Sequence, residues 1–191
     1  QMLELVALEP FQKGFLAHTW PDQAGFFGDG KCAMALMGNW MYGAQKGNSA
    51  SGEGLGDDNM GMFNMPMTAG GLGDAGDTLG GINGWLFSSS APDSAVELIM
   101  HYNSIETTSA DAASGAYIPV VKGADASIEN EFLQQVAKNI ANSEYHQIFY
   151  DQFLGADIGR VVNDVSTDLA AGIITPEEAT QAVQEAWEFN Q

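Results

Sequence analysis

Glycine placement constrains this chain more than any other feature. Of its 191 residues 23 are glycine, and 12 of those fall within the 39 positions 43–81. Glycine loses the most backbone freedom on folding, so a stretch this rich in it disfavours helix and strand interiors alike. Residues 43–81 are expected to be mostly loop, with acidic pairs such as Asp57-Asp58 and one strand over Met60–Met65 that Pro66 stops. A loop of that length tends to be functional or mobile. Before it, Leu3, Leu5, Val6 and Leu8 suit a short strand or a helix end, and Pro10 and Pro21 break continuity. Gly28-Asp29-Gly30 marks a turn, and the short apolar run Cys32–Met37, bounded by Gly38, has the length of a buried strand. Ile82–Ser88, with Trp85, Leu86 and Phe87, is expected to be a further strand.

The second half carries helix punctuation. Ser90-Ala91-Pro92-Asp93 offers a Ser cap, an early proline and an acidic first turn before Ala95, Val96, Leu98, Ile99 and Tyr102. Ser127 is placed to cap a helix with Phe132, Leu133, Val136 and Ile140. Asp157 is placed to cap one with Val161, Val162, Val165 and Leu169 that Gly172 ends. Thr175-Pro176-Glu177-Glu178 is a capping box, and Ala179, Ala182, Val183, Ala186 and Trp187 form the stripe behind it. Strands first and helices later predict a mixed α/β class with a helix-rich second half.

Charge removes several function classes. The 25 acidic residues against 6 basic ones leave a net charge of −19, and the basic residues stand singly at 13, 31, 46, 122, 138 and 160. Phosphate neutralisation needs clustered Lys and Arg, so no nucleic-acid partner is expected, nor attraction to an anionic membrane. No apolar run reaches the 18 or more residues of a membrane span, and the start QMLELVALEP has no basic leader segment. No direct membrane insertion is expected. Four Trp, five Tyr, ten Phe and nine Met speak against a disordered acidic tail. The lone Cys32 excludes an internal disulfide and a multi-cysteine metal site, and it suits a buried small hydrophobe.

Catalytic and cofactor patterns are weak. Gly71-Leu72-Gly73-Asp74-Ala75-Gly76 fits the spacing of a dinucleotide fingerprint, but Asp77-Thr78-Leu79-Gly80-Gly81 cannot start the helix which that fingerprint requires. The same stretch misses the calcium repeat by one position, so Asp57, Asp58, Asp74 and Asp77 are taken as a solvated acidic loop; no metal and no cofactor are expected. His18, His101 and His146 stand far apart and fit no ligand or hydrolase spacing. Among so many acids no spacing selects a catalytic pair, and no enzyme activity is expected. Aromatics beside glycines are more informative: Trp40 follows Gly38-Asn39, and Trp85 follows Gly80-Gly81-Ile82-Asn83-Gly84. A flat indole is a low-entropy stacking face with a donor at its edge, suited to the C–H faces of a sugar. From composition alone Trp40 suits the core slightly better than a ligand platform.

FFGDGKCAMALMGNW (26–40) resembles the F-x-x-G-K-x-A-M-x-x-x-G-x-W segment of the family 1 extracellular solute-binding proteins, the sugar receptors of bacterial ABC importers related to maltose-binding protein. GGINGWLFSSSAPDSAVELI (80–99), SGAYIPVVKG (114–123) and the helices of 150–187 are similar to later segments of that family, in its order. The resemblance implies a periplasmic-binding-protein type II-like fold, mainly the C-terminal lobe, with the N-terminal lobe largely missing. It assigns 1–81 to C-terminal-lobe strands and the Gly-rich loop, 82–118 to an inter-lobe crossing and a helix that would pack on the missing lobe, and 119–191 to C-terminal-lobe helices.

It further implies the capture of a mono- or oligosaccharide between two lobes and its delivery to an ABC importer permease. The implied location is extracytoplasmic, periplasmic or lipid-anchored at the cell surface. Trp40 becomes the stacking platform; Gly80, Gly81 and Asn83 would line the cleft, with Tyr117 and Asp151 as further ligand contacts. The alternative is a fragment of a carbohydrate-active enzyme using paired carboxylates. If the crossing belongs against another lobe, Trp85, Leu86, Phe87, Ile99 and Met100 should stand exposed in this chain.

Overall fold

The computed structural model describes residues 2–81, 83–115 and 117–190. About half of the chain, 52%, is helical, and the described sheet has two parallel strands, which is compatible with an α/β class. The helices are α1 (Met2–Ala7), α2 (Trp20–Gly28), α3 (Met41–Asn48), α4 (Asp93–Tyr102), α5 (Ile105–Ser114), α6 (Glu131–Asn142), α7 (Tyr150–Phe153), α8 (Ala156–Ala170) and α9 (Pro176–Phe189). The strands β1 (Thr78–Gly80) and β2 (His146–Ile148) pair with each other. Thr78 N–H donates to the Tyr145 carbonyl at 3.0 Å, and the Thr78 hydroxyl lies 2.8 Å from His146 Nδ1.

The chain forms two compact units. The larger comprises Trp20–Thr78 and Ile82–His146, and the smaller comprises Gln1–Thr19, Leu79–Gly81 and Gln147–Gln191. In the larger unit α2 lies directly on α3 because two glycines leave no side chain between them. A Cβ on Gly25 would come within 2.6 Å of the Asn48 carbonyl oxygen, and one on Gly28 would strike that of Gln45. Gln45 is fully buried and fully used: its amide N–H groups donate to the Tyr42 and Leu55 carbonyls, and its oxygen accepts from Leu55 N–H at 2.7 Å. The core of this unit is Ala112, Ile128 and Leu133, with Tyr42, Ile118, Phe132 and Ala137 against it.

In the smaller unit α8 ends as glycine at position 172 predicts. Gly172 adopts φ +71, its N–H reaches the Leu169 carbonyl, and Ile173 N–H reaches that of Asp168, so the last carbonyls of the helix are satisfied. The capping box at α9 forms as expected: the Thr175 hydroxyl accepts from Glu178 N–H at 3.2 Å, and the Glu178 carboxylate accepts from Thr175 N–H at 2.8 Å. Those donors hold the Glu178 carboxyl below the usual carboxylate range, the backbone N–H contributing most.

Three expected strands do not form. Cys32–Met37, Met60–Met65 and the described part of Ile82–Ser88, residues 83–88, are irregular; Ile82 itself lies outside the described residues. A strand needs a neighbour to take its backbone groups, and apolar content alone does not supply one. Met34 and Leu36, two apart and so on one side, are both exposed, and Cys32 is half-buried rather than buried. The sheet forms instead at β1, within the stretch assigned to loop, and at β2. Helices, not strands, occupy the first fifty residues: α1, α2 and α3.

Caps shift as well. Asn130, not Ser127, caps α6 through a 3.0 Å bond from Leu133 N–H. Gly155, not Asp157, precedes α8, and α4 has no side-chain cap because Pro92, not Ser90, stands at its N-cap; the Ser90 hydroxyl lies 2.8 Å from that of Ser88. The acidic first turn of α4 is present as Asp93.

The chain exposes 13653 Å². Two separately folded units of these sizes would expose about 10,500 Å². The side chains expected to stand exposed mostly do so. Leu86 is 100% and Met100 70% exposed, Trp85 and Phe87 are also exposed, and Ile99 is half-buried.

Candidate functional site

Trp40 sits where an irregular segment enters α3. Met41 N–H donates to the Gly38 carbonyl at 3.0 Å and Tyr42 N–H to that of Asn39 at 3.1 Å, closing a turn that begins the helix. The indole lies over Gly38, where a Cβ would collide with its six-membered ring. Gly38 therefore serves by the space it leaves, and the ring keeps 44% of its surface exposed. An indole fixed by a turn and half open to solvent has the form of a stacking platform.

A polar cluster braces this turn from below. The Tyr42 ring stacks on Phe132 at 5.8 Å, and its hydroxyl donates to the Asp57 carboxylate at 3.0 Å. That hydroxyl also accepts from Asn130 Nδ2 at 3.1 Å and from Lys46 Nζ at 3.2 Å. Asn130 Nδ2 donates to Asp57 as well, at 3.0 Å, and Lys46 lies 4.4 Å from the Tyr42 ring centroid. Every donor and acceptor of the phenol is thus used, and the cluster ties α3, the turn at Asp57–Asn59 and the start of α6 together. Beside it opens a shallow concavity of about 240 Å³ lined in part by Tyr42, Asp57, Ser114, Glu129 and Asn130. Sequence reasoning missed this cluster. Asp57 was expected in a solvated loop, and Asn130, an N-cap residue three before Leu133, carried a signal that was assigned to Ser127.

Tyr117 is half-buried in the same unit and donates its hydroxyl to the Asp111 carboxylate at 3.0 Å. Burial, with that carboxylate and then Tyr102 adding to it, pushes the phenol up to about 12. Tyr102 in turn stands edge-on to Trp85, with ring centroids 5.5 Å apart. Asn83 lies two residues before Trp85 in the exposed segment, so an aromatic line leads from its neighbourhood to Tyr117.

Gly80, Gly81 and Asp151 belong to the smaller unit. Gly80 ends β1, and a Cβ on Gly81 would sit 3.5 Å from the Gln152 amide and 3.6 Å from Phe149, an ordinary contact. The Gly80–Gly81 backbone therefore comes beside α7, which carries Asp151. The Asp151 carboxylate accepts from Asn163 Nδ2 of α8 at 3.3 Å, and its backbone carbonyl packs on Gly159, where a Cβ would collide. A concavity of about 320 Å³ in this unit lies against Gly155, Ile158, Trp187 and Asn190 and holds none of the expected ligand contacts. Among the described residues no group of three or more His, Cys, Asp or Glu is placed to hold a metal ion, and no helix is long and apolar enough to cross a membrane.

No protein-family model matches this chain, and no curated protein matches it.

Proposed function

We propose that the chain is the sugar-capturing part of a carbohydrate ABC importer, mainly the C-terminal lobe of a periplasmic-binding-protein type II-like receptor acting outside the cytoplasm. Its partners on this reading are a mono- or oligosaccharide, an N-terminal lobe and a membrane permease. The observation that carries the reading is the half-exposed Trp40 indole seated on the Gly38 turn, within the segment that most resembles the family. The exposed apolar face of residues 85–100 supports it, since an inter-lobe crossing would cover those side chains with the second lobe. Sugar bound between lobes favours the closed state, which the permease selects; no bond breaks.

Calorimetric titration of the two-lobed receptor against a panel of mono- and oligosaccharides tests this. Trp40→Ala is expected to weaken binding of the preferred sugar by roughly 1–3 kcal/mol. Gly38→Ala should act in the same direction, because its Cβ displaces the ring. Unchanged affinity in Trp40→Ala removes the indole from the site, and hydrolysis of any sugar in the panel turns the reading towards a carbohydrate-active enzyme.

A further inference from the structure

Asn83 is the one asparagine in the chain that precedes a glycine. Cyclisation of such a pair needs a side-chain amide free to turn back and a following backbone nitrogen free to attack it. Glycine brings no Cβ to hinder the approach and leaves the backbone most of its freedom. Asn83 and Gly84 are both exposed and lie in irregular backbone. A Cβ on Gly84 would meet nothing within 4 Å, so the approach is open. Among the described residues neither the Asn83 side chain nor the Gly84 N–H has a hydrogen-bond partner.

Pairs of comparable chemistry elsewhere are held. Asn48, Asn103 and Asn142 each precede a serine and stand at or just past the end of a helix. There the attacking nitrogen is already committed. Ser49 N–H donates to the Lys46 carbonyl at 3.3 Å, Ser104 N–H to that of His101 at 3.0 Å, and Ser143 N–H to that of Ile140 at 3.2 Å. The Asn48 and Asn103 amides are bound as well, to the Ala44 carbonyl at 2.8 Å and the Ile99 carbonyl at 2.9 Å. Asp29-Gly30, the acidic counterpart, is fixed by the same means. Gly30 N–H donates to the Phe27 carbonyl at 2.9 Å, and the Asp29 carboxylate accepts from Ala50 N–H at 2.8 Å and Lys31 Nζ at 3.0 Å.

We propose that Asn83 is a self-modification site, deamidated through a cyclic imide with Gly84. Hydroxide takes the Gly84 N–H proton and the nitrogen attacks Asn83 Cγ. The new C–N bond forms as the Cγ–Nδ2 bond breaks, and ammonia leaves with a proton from water. Water then opens the imide at either carbonyl. Opening at Cγ leaves aspartate, and opening at the main-chain carbonyl leaves isoaspartate, whose backbone runs through Cγ and is one carbon longer. Nothing is oxidised or reduced, and water is the only co-reactant. Either product exchanges an amide that donates and accepts for a carboxylate that only accepts. The reaction is independent of the carbohydrate reading.

To test this, the 191-residue chain is aged in mildly alkaline buffer, both native and in denaturant. Its peptides are followed by mass spectrometry for the gain of one mass unit. In the native chain the gain should accumulate first at Asn83, at nearly the rate seen in denaturant. It should come faster at higher pH, because the attacking nitrogen must lose its proton. Asn48, Asn103 and Asn142 should react several-fold faster in denaturant, where the serine N–H groups are released. Gly84→Ala, whose Cβ has room, should keep the parent's circular dichroism and slow the reaction at Asn83 several-fold. A native rate at Asn83 many-fold below the denatured one would mean that the fold holds the pair, and would overturn the proposal. So would modification of an Asn-Ser pair ahead of Asn83 in the native chain, or a rate indifferent to Gly84→Ala.

Discussion

α6 and α4 both carry apolar residues at helical spacing: Phe132, Leu133, Val136 and Ile140 in the first, Ala95, Val96, Leu98, Ile99 and Tyr102 in the second. Around α6 the chain supplies everything a helix can use. Asn130 caps it, and Leu133 is buried against Ala112 and Ile128. α4 has neither a side-chain cap nor a buried residue, and Val96, Leu98 and Met100 face solvent. Periodicity and an acidic first turn suffice to wind a helix, but burial requires a facing surface that another element must bring. Among the described residues α4 meets no surface that fully buries any of its side chains.

Truncating one leucine in each helix sharpens the contrast most. Leu133→Ala is expected to cost about 2–5 kcal/mol, transfer and cavity together. Leu98→Ala should stay within about 0.5 kcal/mol in this chain. Chemical denaturation of the two variants measures the difference. Equal costs would mean that α4 is packed after all. In the proposed two-lobed receptor the comparison should break, with Leu98→Ala becoming costly as the second lobe covers it.

The caps give the next largest effect. Asn130→Ala should remove at least about 1 kcal/mol of stability, the value of a cap alone, and Ser90→Ala almost none, because the Ser90 hydroxyl meets Ser88 and no helix N–H. The measured loss at Asn130 should exceed that of an isolated cap, since the same amide also holds Tyr42 and Asp57. Adding Asp57→Asn tests this: additive losses would show that the two contacts are independent.

What the sequence disclosed follows the same division. Local chemistry was legible: the Thr175 capping box, the Gly172 stop and the existence of α4, α6, α8 and α9 came from residues within one turn of each other, whereas α5 and α7 went unread. Long-range pairing was not. Cys32–Met37 and Met60–Met65 have strand-like runs but no neighbour to complete a ladder, whereas β1 and β2 pair across 68 residues, from Thr78 to His146, with little apolar content to announce them. The site divides likewise. Trp40 beside Gly38 was visible because glycine and indole are adjacent in the chain. The brace of Tyr42, Asp57 and Asn130 joins three distant segments, and only its Asn cap had a sequence signature.

The smallest expected effect concerns the C-terminal end of α4. Tyr102 ends that helix beside the Tyr117 phenol, which donates to Asp111 of α5. Unfolded, a tyrosine ionises near 10; folded, Tyr117 does so at about 12. Because the folded value is the higher one, the stabilisation by the neutral phenol is complete below about pH 10 and disappears as pH rises towards 12. Ionised Tyr117 would set a phenolate against the Asp111 carboxylate and free the end of α4. Tyrosinate absorbance should therefore show a group titrating towards pH 12 that Tyr117→Phe removes, and amide exchange should rise at the end of α4 before it rises in α6. A Tyr117 that ionised near 10, as in an unfolded chain, would mean that Asp111 and Tyr102 do not hold it, and α4 would then owe nothing to this contact.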